Sequence, residues 1–493
     1  MGDDTLREEC GVFGVMGHKE ASALTALGLH ALQHRGQEAS GIVSCEQHNG
    51  FFYSHRATGH VGDIFSKHDV IRRLKGTMAV GHNRYSTTGA SGLHNVQPLF
   101  SELSFGGLAL AHNGNLTNAL SLRRELVSKG SLFQSTSDTE VIVHLIAASE
   151  AKALEDKIVD ALTRVVGAYS LVLMTSDTLV GVRDPYGVRP LALGRLDEAW
   201  LLASESCAFD IIGGTHVRDV MPGEMVVVDK AGKMRSFYPF SRVAPRFCLF
   251  EYIYFSRPDS FVEGRSVYDM RKKIGEQLAF EDGDDVGDIV VPVPDSGLAS
   301  AIGYAQASSL PFEMGIVRNH YVGRTFIEPM ERIRHFGVRL KHNAHRAALA
   351  DKRVILIDDS LVRGTTSRKI VGMVRGAGAK EVHLRVSSPP VRHSCFYGID
   401  TPDEKDLLAT QNKEKDIAKI IGADSVRFIS LEGLYRALHK PNGEHKQGGQ
   451  GEKHGFCDAC FSGVYPIACP DRDKLKKGEP PLLSAMSHVE NVE

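Results

Sequence analysis

One segment of the 493-residue chain restricts its fold more than any other. Residues 354–366 read VILIDDSLVRGTT, an apolar run followed by Asp358, Asp359 and a Gly-Thr-Thr sequence. Such a run is typical of a strand buried on both faces of a parallel sheet. Ligands of open α/β sheets bind at the carboxyl ends of the strands, which is where the two carboxylates fall. The residues from Gly364 open a predicted helix, whose free N–H groups and positive dipole end suit a phosphate.

The surrounding sequence supports a parallel sheet. Predicted strands and helices alternate in the order helix, strand, helix, strand, helix, strand over residues 270–280, 288–293, 297–308, 353–357, 365–376 and 381–387. This order is typical of crossover connections. Paired carboxylates beside a phosphate suit sugar hydroxyls or a hydrated Mg²⁺, whereas the alternative is a turn with a helix N-cap. The segment is not a P-loop, because no Gly-Lys-Ser/Thr follows.

The N-terminal half has a different pattern, in which short strand-like runs dominate. These runs are residues 11–16, 41–44, 77–81, 107–112, 168–175, 179–183, 199–203 and 224–229. Two helices are predicted, over 22–34 and 139–149, and Ser137 and Glu140 introduce the second with a capping-box spacing. We therefore expect packed sheets flanked by helices.

Composition excludes several classes of protein. Lys+Arg 58 against Asp+Glu 60 gives a net charge of −2, which excludes a globally basic nucleic-acid binder and a strongly acidic disordered chain. Polar residues interrupt every apolar stretch, so no membrane span is expected. Eight cysteines are too few for a disulfide scaffold, and the acidic N-terminus is not a secretory signal, so a cytoplasmic location is expected.

Residues 354–366 resemble the phosphoribosylpyrophosphate (PRPP) signature of type I phosphoribosyltransferases. The resemblance implies that Asp358 and Asp359 face the ribose hydroxyls. It implies that the loop holds the 5-phosphate through Ser360, Arg363, Gly364, Thr365 and Thr366. Ser296 matches the family position that holds one Mg²⁺ per subunit together with the two acids.

Cys10, considered alone, is more often a small buried residue than a catalyst, and the two acids before it raise a thiol pKa. However, it is followed by residues 32–41, 81–89, 111–116 and 137–140, which together resemble class II glutamine amidotransferase domains. The fold implied is that of the N-terminal-nucleophile hydrolases. The roles implied are Cys10 as nucleophile, the Asn113 side chain and the Gly114 N–H as oxyanion donors, and Arg84 and Asp138 on the glutamine α-carboxylate and α-ammonium.

Each of these residues also has an ordinary structural explanation. Arg84 fits a surface ion pair, and Asp138 fits an acid in the first turn of a helix. Asn113-Gly114 is the leading two-residue hairpin turn. We favour the functional roles because the segments occur in the order of the family.

Removal of residues 1–9 explains the absence of a separate base. Cys10 then carries a free α-amine with a pKa of about 7.7–8.0, which can take the proton of its own thiol. Attack on the glutamine amide gives a thioester and ammonia.

The two halves together resemble the glutamine-dependent PRPP amidotransferases. The resemblance implies a two-domain α/β and α+β protein: residues 1–9 as propeptide, 10–240 as an αββα glutaminase sandwich, 241–440 as a doubly wound parallel phosphoribosyltransferase sheet, and 441–493 as a cluster-binding segment and tail. The expected substrates are glutamine and PRPP, and the product is 5-phosphoribosylamine. A homotetramer inhibited by purine nucleotides is expected, with neither nucleic acid nor membrane as a partner.

Residues 318–346 hold many Arg, Lys and His residues and resemble the flexible loop of the family. The resemblance implies that Arg324 and Lys341 contact PRPP, and that closure of the loop seals a channel for ammonia. The alternative is a disordered basic loop.

The cysteines near the C-terminus leave several possibilities open. The C-x-x-C spacing of Cys457 and Cys460 fits half a zinc site, a redox pair or neither. The resemblance to one branch of the family implies a structural [4Fe–4S] cluster, one per subunit, on Cys248, Cys395, Cys457 and Cys460, with Cys469 nearby but at no matching position.

Two other functions are less consistent with the sequence. A PRPP-sensing regulator without catalysis is disfavoured because no basic DNA-binding module is present. A glutamine amidotransferase with another acceptor, as in glucosamine-phosphate or asparagine synthesis, is disfavoured by the Asp358-Asp359 segment.

Overall fold

The computed structural model describes residues 7–8, 10–85, 92–283, 287–318, 342–438 and 455–472. They form two packed parts, the first up to about residue 240 and the second beyond it. None of the helices in these ranges is both long and apolar enough to cross a bilayer.

The first part contains fourteen of the strands in the described ranges. They are β1 (Arg7–Glu8), β2 (Cys10–Met16), β3 (Ala39–Glu46), β4 (Phe51–Thr58), β5 (Met78–Arg84), β6 (Leu99–Leu103), β7 (Gly106–Leu116), β8 (Gly167–Met174), β9 (Thr178–Arg183), β10 (Ala192–Leu196), β11 (Ala199–Ala203), β12 (Thr215–Asp219), β13 (Met225–Asp229) and β14 (Met234–Phe237). Its helices are α1 (Ala21–Ala31), α2 (Val61–Phe65), α3 (His68–Arg73), α4 (Ala119–Ser128), α5 (Thr139–Ala148), α6 (Leu154–Thr163) and α7 (Cys207–Asp210).

Two antiparallel sheets form the centre of this part. The seven-stranded sheet has the order β12-β10-β11-β2-β5-β3-β4, and the six-stranded sheet has the order β14-β13-β9-β8-β7-β6. An apolar core that includes Val12, Val80 and Val172 fills the space between them. Helices cover both outer faces, with Leu29 in one outer core and Ile142 in the other. This four-layer arrangement confirms the αββα sandwich.

The second part is built around a parallel sheet. Its strands are β15 (Phe247–Cys248), β16 (Phe261–Val262), β17 (Arg265–Ser266), β18 (Ile289–Pro292), β19 (Ile316–Arg318), β20 (His342–Ala344), β21 (Arg353–Asp358), β22 (Glu381–Val386), β23 (Ile399–Asp400), β24 (Ser425–Phe428) and β25 (Phe456–Cys457). Its helices are α8 (Val267–Asp282), α9 (Leu298–Ser308), α10 (Arg346–Leu349), α11 (Thr365–Gly376), α12 (Leu408–Gln411), α13 (Glu414–Ile421), α14 (Leu431–Leu438) and α15 (Ala459–Ser462).

The central sheet of this part has the order β18-β21-β22-β24, and every pair in it is parallel. Val354 and Ile355 are both fully buried and belong to different apolar cores, one on each face of β21. This explains why the apolar run in the sequence does not alternate with polar residues, and it confirms the predicted doubly wound sheet.

Sequence patterning identified most of the buried elements and missed several others, some of which are exposed. Every predicted strand and helix of the second part is present, and α11 has the predicted bounds. Among the strands not predicted is β4, whose residues are half-buried or exposed. An edge strand of mixed polarity gives no alternating signal because one face does not have to be apolar.

The two parts meet at a buried cluster of opposite charges. Arg35 contacts Glu205 of the first part and donates to Glu251 of the second, with 2.6 Å between Arg35 Nη2 and Glu251 Oε2. All three side chains have no solvent exposure. Glu251 is the first residue of the π-helix Glu251–Phe255, and Arg189 adds a second cation 3.1 Å from it. Because each buried charge of this cluster contacts at least one opposite charge, these side chains remain ionised inside the protein.

Candidate active sites

The proposed nucleophile begins a central strand of the first part. Cys10 is the first residue of β2, and its side chain is 8% exposed. The strand pairing sets Cys10 directly opposite Arg84, the last residue of β5. Arg84 is 7% exposed, so the surface position considered for it is wrong.

Asn113 and Gly114 do not form a hairpin turn. They lie inside β7, which continues to Leu116 and pairs with β8 across its whole length from Ala109. The Asn113 side chain is completely buried, and neither its oxygen nor its nitrogen has a hydrogen-bond partner among the described residues. A buried amide without a partner costs roughly 1–3 kcal/mol, so it is typical of a group that meets a ligand.

Gly114 has a backbone conformation that favours glycine. Its φ angle is +143°, and a Cβ there would collide with the carbonyl oxygen of Ala168 on β8. The close approach of the two strands therefore requires glycine at this position.

Asp138 immediately precedes α5 but does not cap it. No side-chain hydrogen bond caps this helix; instead Asp138 Oδ2 accepts from the backbone N–H of Leu116 at 2.9 Å. The predicted capping box is also wrong, because Glu140 accepts from the N–H groups of Gln134 and Ser135. Burial opposes ionisation of Glu140, but hydrogen bonds from His144 and these groups lower its pKa to about 2. The hydrogen bond from Leu116 holds the Asp138 carboxylate next to the last residue of β7.

Two histidines of the sandwich are buried: His82 on β5, and His112 on β7, whose ring contacts Thr139 of α5. Neither was predicted to have a separate role. His82 Nε2 lies 3.1 Å from the carbonyl oxygen of His112. Burial lowers the pKa of His82 to about 3. Burial also lowers the pKa of His112, although Asp138 opposes the shift. Both imidazoles are therefore neutral near pH 7.

The second site lies at the carboxyl end of β21. Asp358 and Asp359 are buried there, and the N–H of Asp359 donates to Asp358 Oδ1 at 3.0 Å. Ser360 donates its hydroxyl to Asp359 Oδ2 at 2.6 Å. Gly364 has a φ angle of +80°, which turns the loop so that α11 begins at Thr365. Arg363 and Thr366 lie beside this turn, so the predicted order of strand, loop and helix N-terminus is confirmed.

The loop that carries Ser296 lies against the same strand end. The N–H of Val293 donates to the carbonyl oxygen of Ile357 at 2.8 Å. A Cβ at Gly297 would collide with that same oxygen. The structure thus brings the Ser296 loop to the end of the strand that carries Asp358.

Two short strands flank the basic segment in the sequence and form an antiparallel stem. Strands β19 and β20 pair from Ile316 to Arg318 and from His342 to Ala344. Arg318 forms an ion pair with Asp295, and His342 Nε2 lies 3.3 Å from the Pro294 carbonyl oxygen. The stem therefore contacts the Ser296 loop directly. Arg324 and Lys341 lie outside the described residues, as do residues 1–6 and 439–454.

Four cysteines from distant parts of the sequence converge. Cys248 on β15 pairs with Cys457 on the parallel strand β25, and Cys460 follows in α15. Burial, and then the neighbouring Cys248, Cys395 and Cys457 thiols, raise the pKa of Cys460. Burial also raises the pKa of Cys248 to about 12. Within the described ranges, no three His, Cys, Asp or Glu side chains are close enough to hold a single metal ion.

The comparisons with known proteins agree with this geometry. A glutamine amidotransferase domain model matches residues 82–210. The amidophosphoribosyltransferase of Rhizobium etli is 53% identical over 480 residues, which is 96% of this chain and 95% of the relative. The chain belongs to the amidophosphoribosyltransferase family.

Further members of the family extend the match to solved structures. The amidophosphoribosyltransferase of Bacillus subtilis is 46% identical over 94% of each chain. The structure of glutamine PRPP amidotransferase from B. subtilis complexed with ADP and GMP is 45% identical, with a TM-score of 0.86 over 93% of this chain and 98% of that one. A structure described as the allosteric regulatory enzyme of purine biosynthesis has a TM-score of 0.87 at 45% identity, over 93% of this chain and 97% of that one.

Membership in the family sets the reaction. This chain is a pentosyltransferase that uses glutamine and PRPP in the first step of purine biosynthesis. The two candidate sites described above lie in the two parts of the chain that this reaction requires.

Proposed function

We propose that Cys10 hydrolyses glutamine as an N-terminal nucleophile, and that the ammonia it releases attacks C1 of PRPP at the end of β21. The buried Asn113 amide carries this proposal, because both its polar atoms lie in the sandwich core without a partner among the described residues. An oxyanion formed at the glutamine amide would satisfy its N–H groups.

The proposed base is the α-amine of Cys10 after removal of residues 1–9. The two buried imidazoles near the site support this assignment, since the low pKa of His82 makes it a poor base at neutral pH. An α-amine with a pKa of about 7.7–8.0 can accept the thiol proton at the same pH. It then donates that proton to the departing ammonia.

The proposed glutamine-binding residues lie on two sides of this site. Arg84 is placed opposite Cys10 by the β2–β5 pairing and would form two hydrogen bonds to the α-carboxylate. Asp138, held at the end of β7 by Leu116, would accept from the α-ammonium. These two charges orient the substrate so that its side-chain amide meets the thiol.

In the second part, Asp358 and Asp359 are proposed to bind the ribose hydroxyls of PRPP. The loop from Ser360 to Thr366 would hold the 5-phosphate at the N-terminus of α11, where backbone N–H groups and the helix dipole favour an anion. Arg324 and Lys341 are proposed to cover the pyrophosphate. The stem contact between Arg318 and Asp295 would link closure of that loop to the Ser296 loop.

The residues at this strand end also fit Mg²⁺. Two buried carboxylates and a serine hydroxyl form an all-oxygen donor set, which is the kind that Mg²⁺ prefers. Ser296, Asp358 and Asp359 would hold it, and when bound it would neutralise charge that develops on pyrophosphate.

The four converging cysteines fit a [4Fe–4S] cluster. Their thiols are neighbours, and Cys248, Cys457 and Cys460 are at least nine-tenths buried. Four thiolates are the ligand set of such a cluster. When bound, the cluster would join β15, β25 and residue Cys395 as a structural brace.

The remaining assignments concern organisation. We propose domain limits of 10–240, 241–440 and 441–493, one Mg²⁺ and one cluster per subunit, a homotetramer and a cytoplasmic location. Purine nucleotides are the proposed inhibitors, since the B. subtilis structure is described as complexed with ADP and GMP.

One assay tests the proposal as a whole. Glutamine hydrolysis is measured with and without PRPP and Mg²⁺, and stimulation by both together is expected because the second site controls the first. Glutamine-independent release of pyrophosphate at the full rate would contradict the coupling.

Two analytical measurements test its parts. N-terminal sequencing of active enzyme is expected to begin at Cys10, and full activity with residues 1–9 retained would remove the α-amine base. Iron and sulfide analysis is expected to give about four of each per chain. Colourless protein that contains zinc would refute the cluster.

A further inference from the structure

A segment of the second part, residues 395–400, lies against the end of β7. The side-chain Nδ2 of Asn115 donates to the carbonyl oxygen of Phe396, and the distance is 2.9 Å. Gly398 has a φ angle of +114°, and a Cβ there would lie 3.2 Å from the Cα of Gly114. The segment therefore contacts both Gly114 and the next residue along the strand.

Gly114 is held between two neighbours. On one side a Cβ would collide with the Ala168 carbonyl oxygen of β8, and on the other side lies Gly398. Because both flanking contacts are backbone to backbone, the direction of the Gly114 N–H depends on where each neighbour lies. An oxyanion donor must lie about 2.7–3.1 Å from the oxygen that develops charge, so a small shift of β7 weakens it.

The segment of residues 395–400 also contacts other elements: the Tyr397 hydroxyl donates to the Ile467 carbonyl oxygen at 2.6 Å, and Ile399 and Asp400 pair with β1. A cavity of about 590 Å³ borders it and is lined by Asn115, Phe396, Gly398 and Arg472 among others. The segment is fastened at its start, where the N–H of Cys395 donates to Thr401 Oγ1 at 2.8 Å. A segment next to a cavity keeps its position through its remaining contacts, and here those include the contacts with β7.

We infer that Asn115 and Gly398 are positioning residues for the glutaminase reaction. They hold the end of β7 against residues 395–400, so that the Gly114 N–H faces the oxyanion. This inference rests on the proposed oxyanion role of Asn113 and Gly114. It makes the glutaminase rate depend on a segment of the phosphoribosyltransferase half that begins at Cys395.

The test uses the full-length enzyme with Asn115→Ala, Asn115→Asp and Gly398→Ala. Asn115→Asp keeps the shape of the side chain but replaces its donor group by an acceptor oxygen. In each variant kcat with glutamine is expected to fall roughly tenfold, because a displaced donor stabilises the transition state less. The KM for glutamine and the rate with ammonia are expected to stay within about twofold.

A second readout separates positioning from a change in the thiol. The rate at which Cys10 reacts with iodoacetamide is expected to be unchanged, because this reagent needs no oxyanion donor. Its rate with a chloroketone analogue of glutamine is expected to fall with kcat.

Asn118→Ala is the matched control. Asn118 also binds backbone groups, through Nδ2 to the Arg164 carbonyl oxygen and through Oδ1 to the Val166 N–H, both at 2.9 Å. Its loss is expected to lower the thermal midpoint while the ratio of glutamine to ammonia activity is unchanged.

Two outcomes in the Asn115 and Gly398 variants would overturn the inference. The variants could keep kcat with glutamine within twofold, or they could lose the glutamine and ammonia activities in equal proportion. Asn113→Ala separates the two proposals: if it costs roughly a hundredfold while the other variants cost nothing, only the positioning role fails. If Asn113→Ala also costs nothing, the oxyanion assignment falls and the positioning role falls with it.

Discussion

The two candidate sites of this enzyme are built from different parts of their sheets. In the glutaminase half, Cys10 begins a strand, Arg84 ends its neighbour and Asn113 lies within a third, and all three are buried. In the phosphoribosyltransferase half, Asp358 ends a strand and the residues from Ser360 lie in the loop beyond it.

This difference teaches how each site obtains its precision. A residue inside a strand is fixed by hydrogen bonds to the strands on both sides, so its position is set before substrate binds. A residue in a loop at the end of an open sheet is accessible to a large charged ligand but depends more on that ligand for its final geometry. If the two halves have separate active sites, their activities can be lost independently. If they share the buried charge cluster, a change in that cluster destabilises the whole protein.

The largest expected effect separates the chemistry of the halves. Cys10→Ala is expected to abolish glutamine-dependent activity and to retain activity with a high concentration of ammonia, because the second site needs only the nitrogen. Initial rates with each nitrogen source measure this. The control is Cys45→Ala, since burial raises the pKa of Cys45 to about 11 and removes it from thiolate chemistry. Equal loss of both activities in Cys10→Ala would refute separate sites.

The next effect concerns the charge cluster that both halves share. Arg35→Met leaves Glu205 and Glu251 buried without their shared cation, so the free energy of unfolding is expected to fall by about 3–5 kcal/mol. Urea denaturation measures it. Arg235→Met is the control, because that arginine is 53% exposed in its pair with Glu155 and is expected to contribute about 0–1 kcal/mol. Similar losses in the two variants would contradict the role of the cluster.

A smaller effect is expected at the loop site. Asp359→Asn removes one charged acceptor from the ribose, and kcat/KM for PRPP is expected to fall by roughly 10–100-fold. The fall should be the same with glutamine and with ammonia, because both reactions use this site. Asp229→Asn changes an acid that accepts turn N–H groups after β13 and serves as the control. A loss confined to glutamine would place Asp359 in the wrong half.

The smallest effect is a pH dependence in the strand-built half. Hydrogen bonds from His144 and from the Gln134–Ser135 backbone outweigh burial and lower the pKa of Glu140 from 4.5 to about 2. A lowered pKa adds stability that is complete above about pH 4.5 and is lost as the pH falls towards 2. Glu140→Gln is therefore expected to lower the thermal midpoint at neutral pH, and the difference should disappear near pH 2. A constant difference would show that charge is not the cause.

The sequence predicted the position of some candidate residues correctly and the local structure of others incorrectly. Asp358 and Asp359 were placed correctly because a buried parallel strand gives a strong apolar signal and its end is where ligands bind. Asn113-Gly114 was open to a hairpin, since local preference favours a turn there. Pairing with β8 overrides that preference and keeps β7 straight through both residues.

Asp138 and the cysteines show the same limit. An acid before a helix normally caps it. Here the N–H of Leu116 donates a hydrogen bond to the Asp138 carboxylate, and no side chain caps the helix. The C-x-x-C spacing left zinc, redox and cluster roles open, because Cys248 and Cys395 lie far away in sequence. The pairing of β15 with β25 brings Cys248 close to Cys460, and the N–H groups of Arg392 and His393, which donate to the Cys460 carbonyl oxygen, bring the segment that carries Cys395.

The sequence by itself determined the two domains, the parallel sheet and the chemistry-bearing residue types, because hydrophobic period and motif order are local properties of the chain. Only the tertiary structure decided that Asn113 is buried without a partner among the described residues, that Arg35 joins the halves, and that Gly398 lies against Gly114. These contacts join residues more than a hundred positions apart, and their geometry depends on how whole sheets pack, which no short sequence window contains.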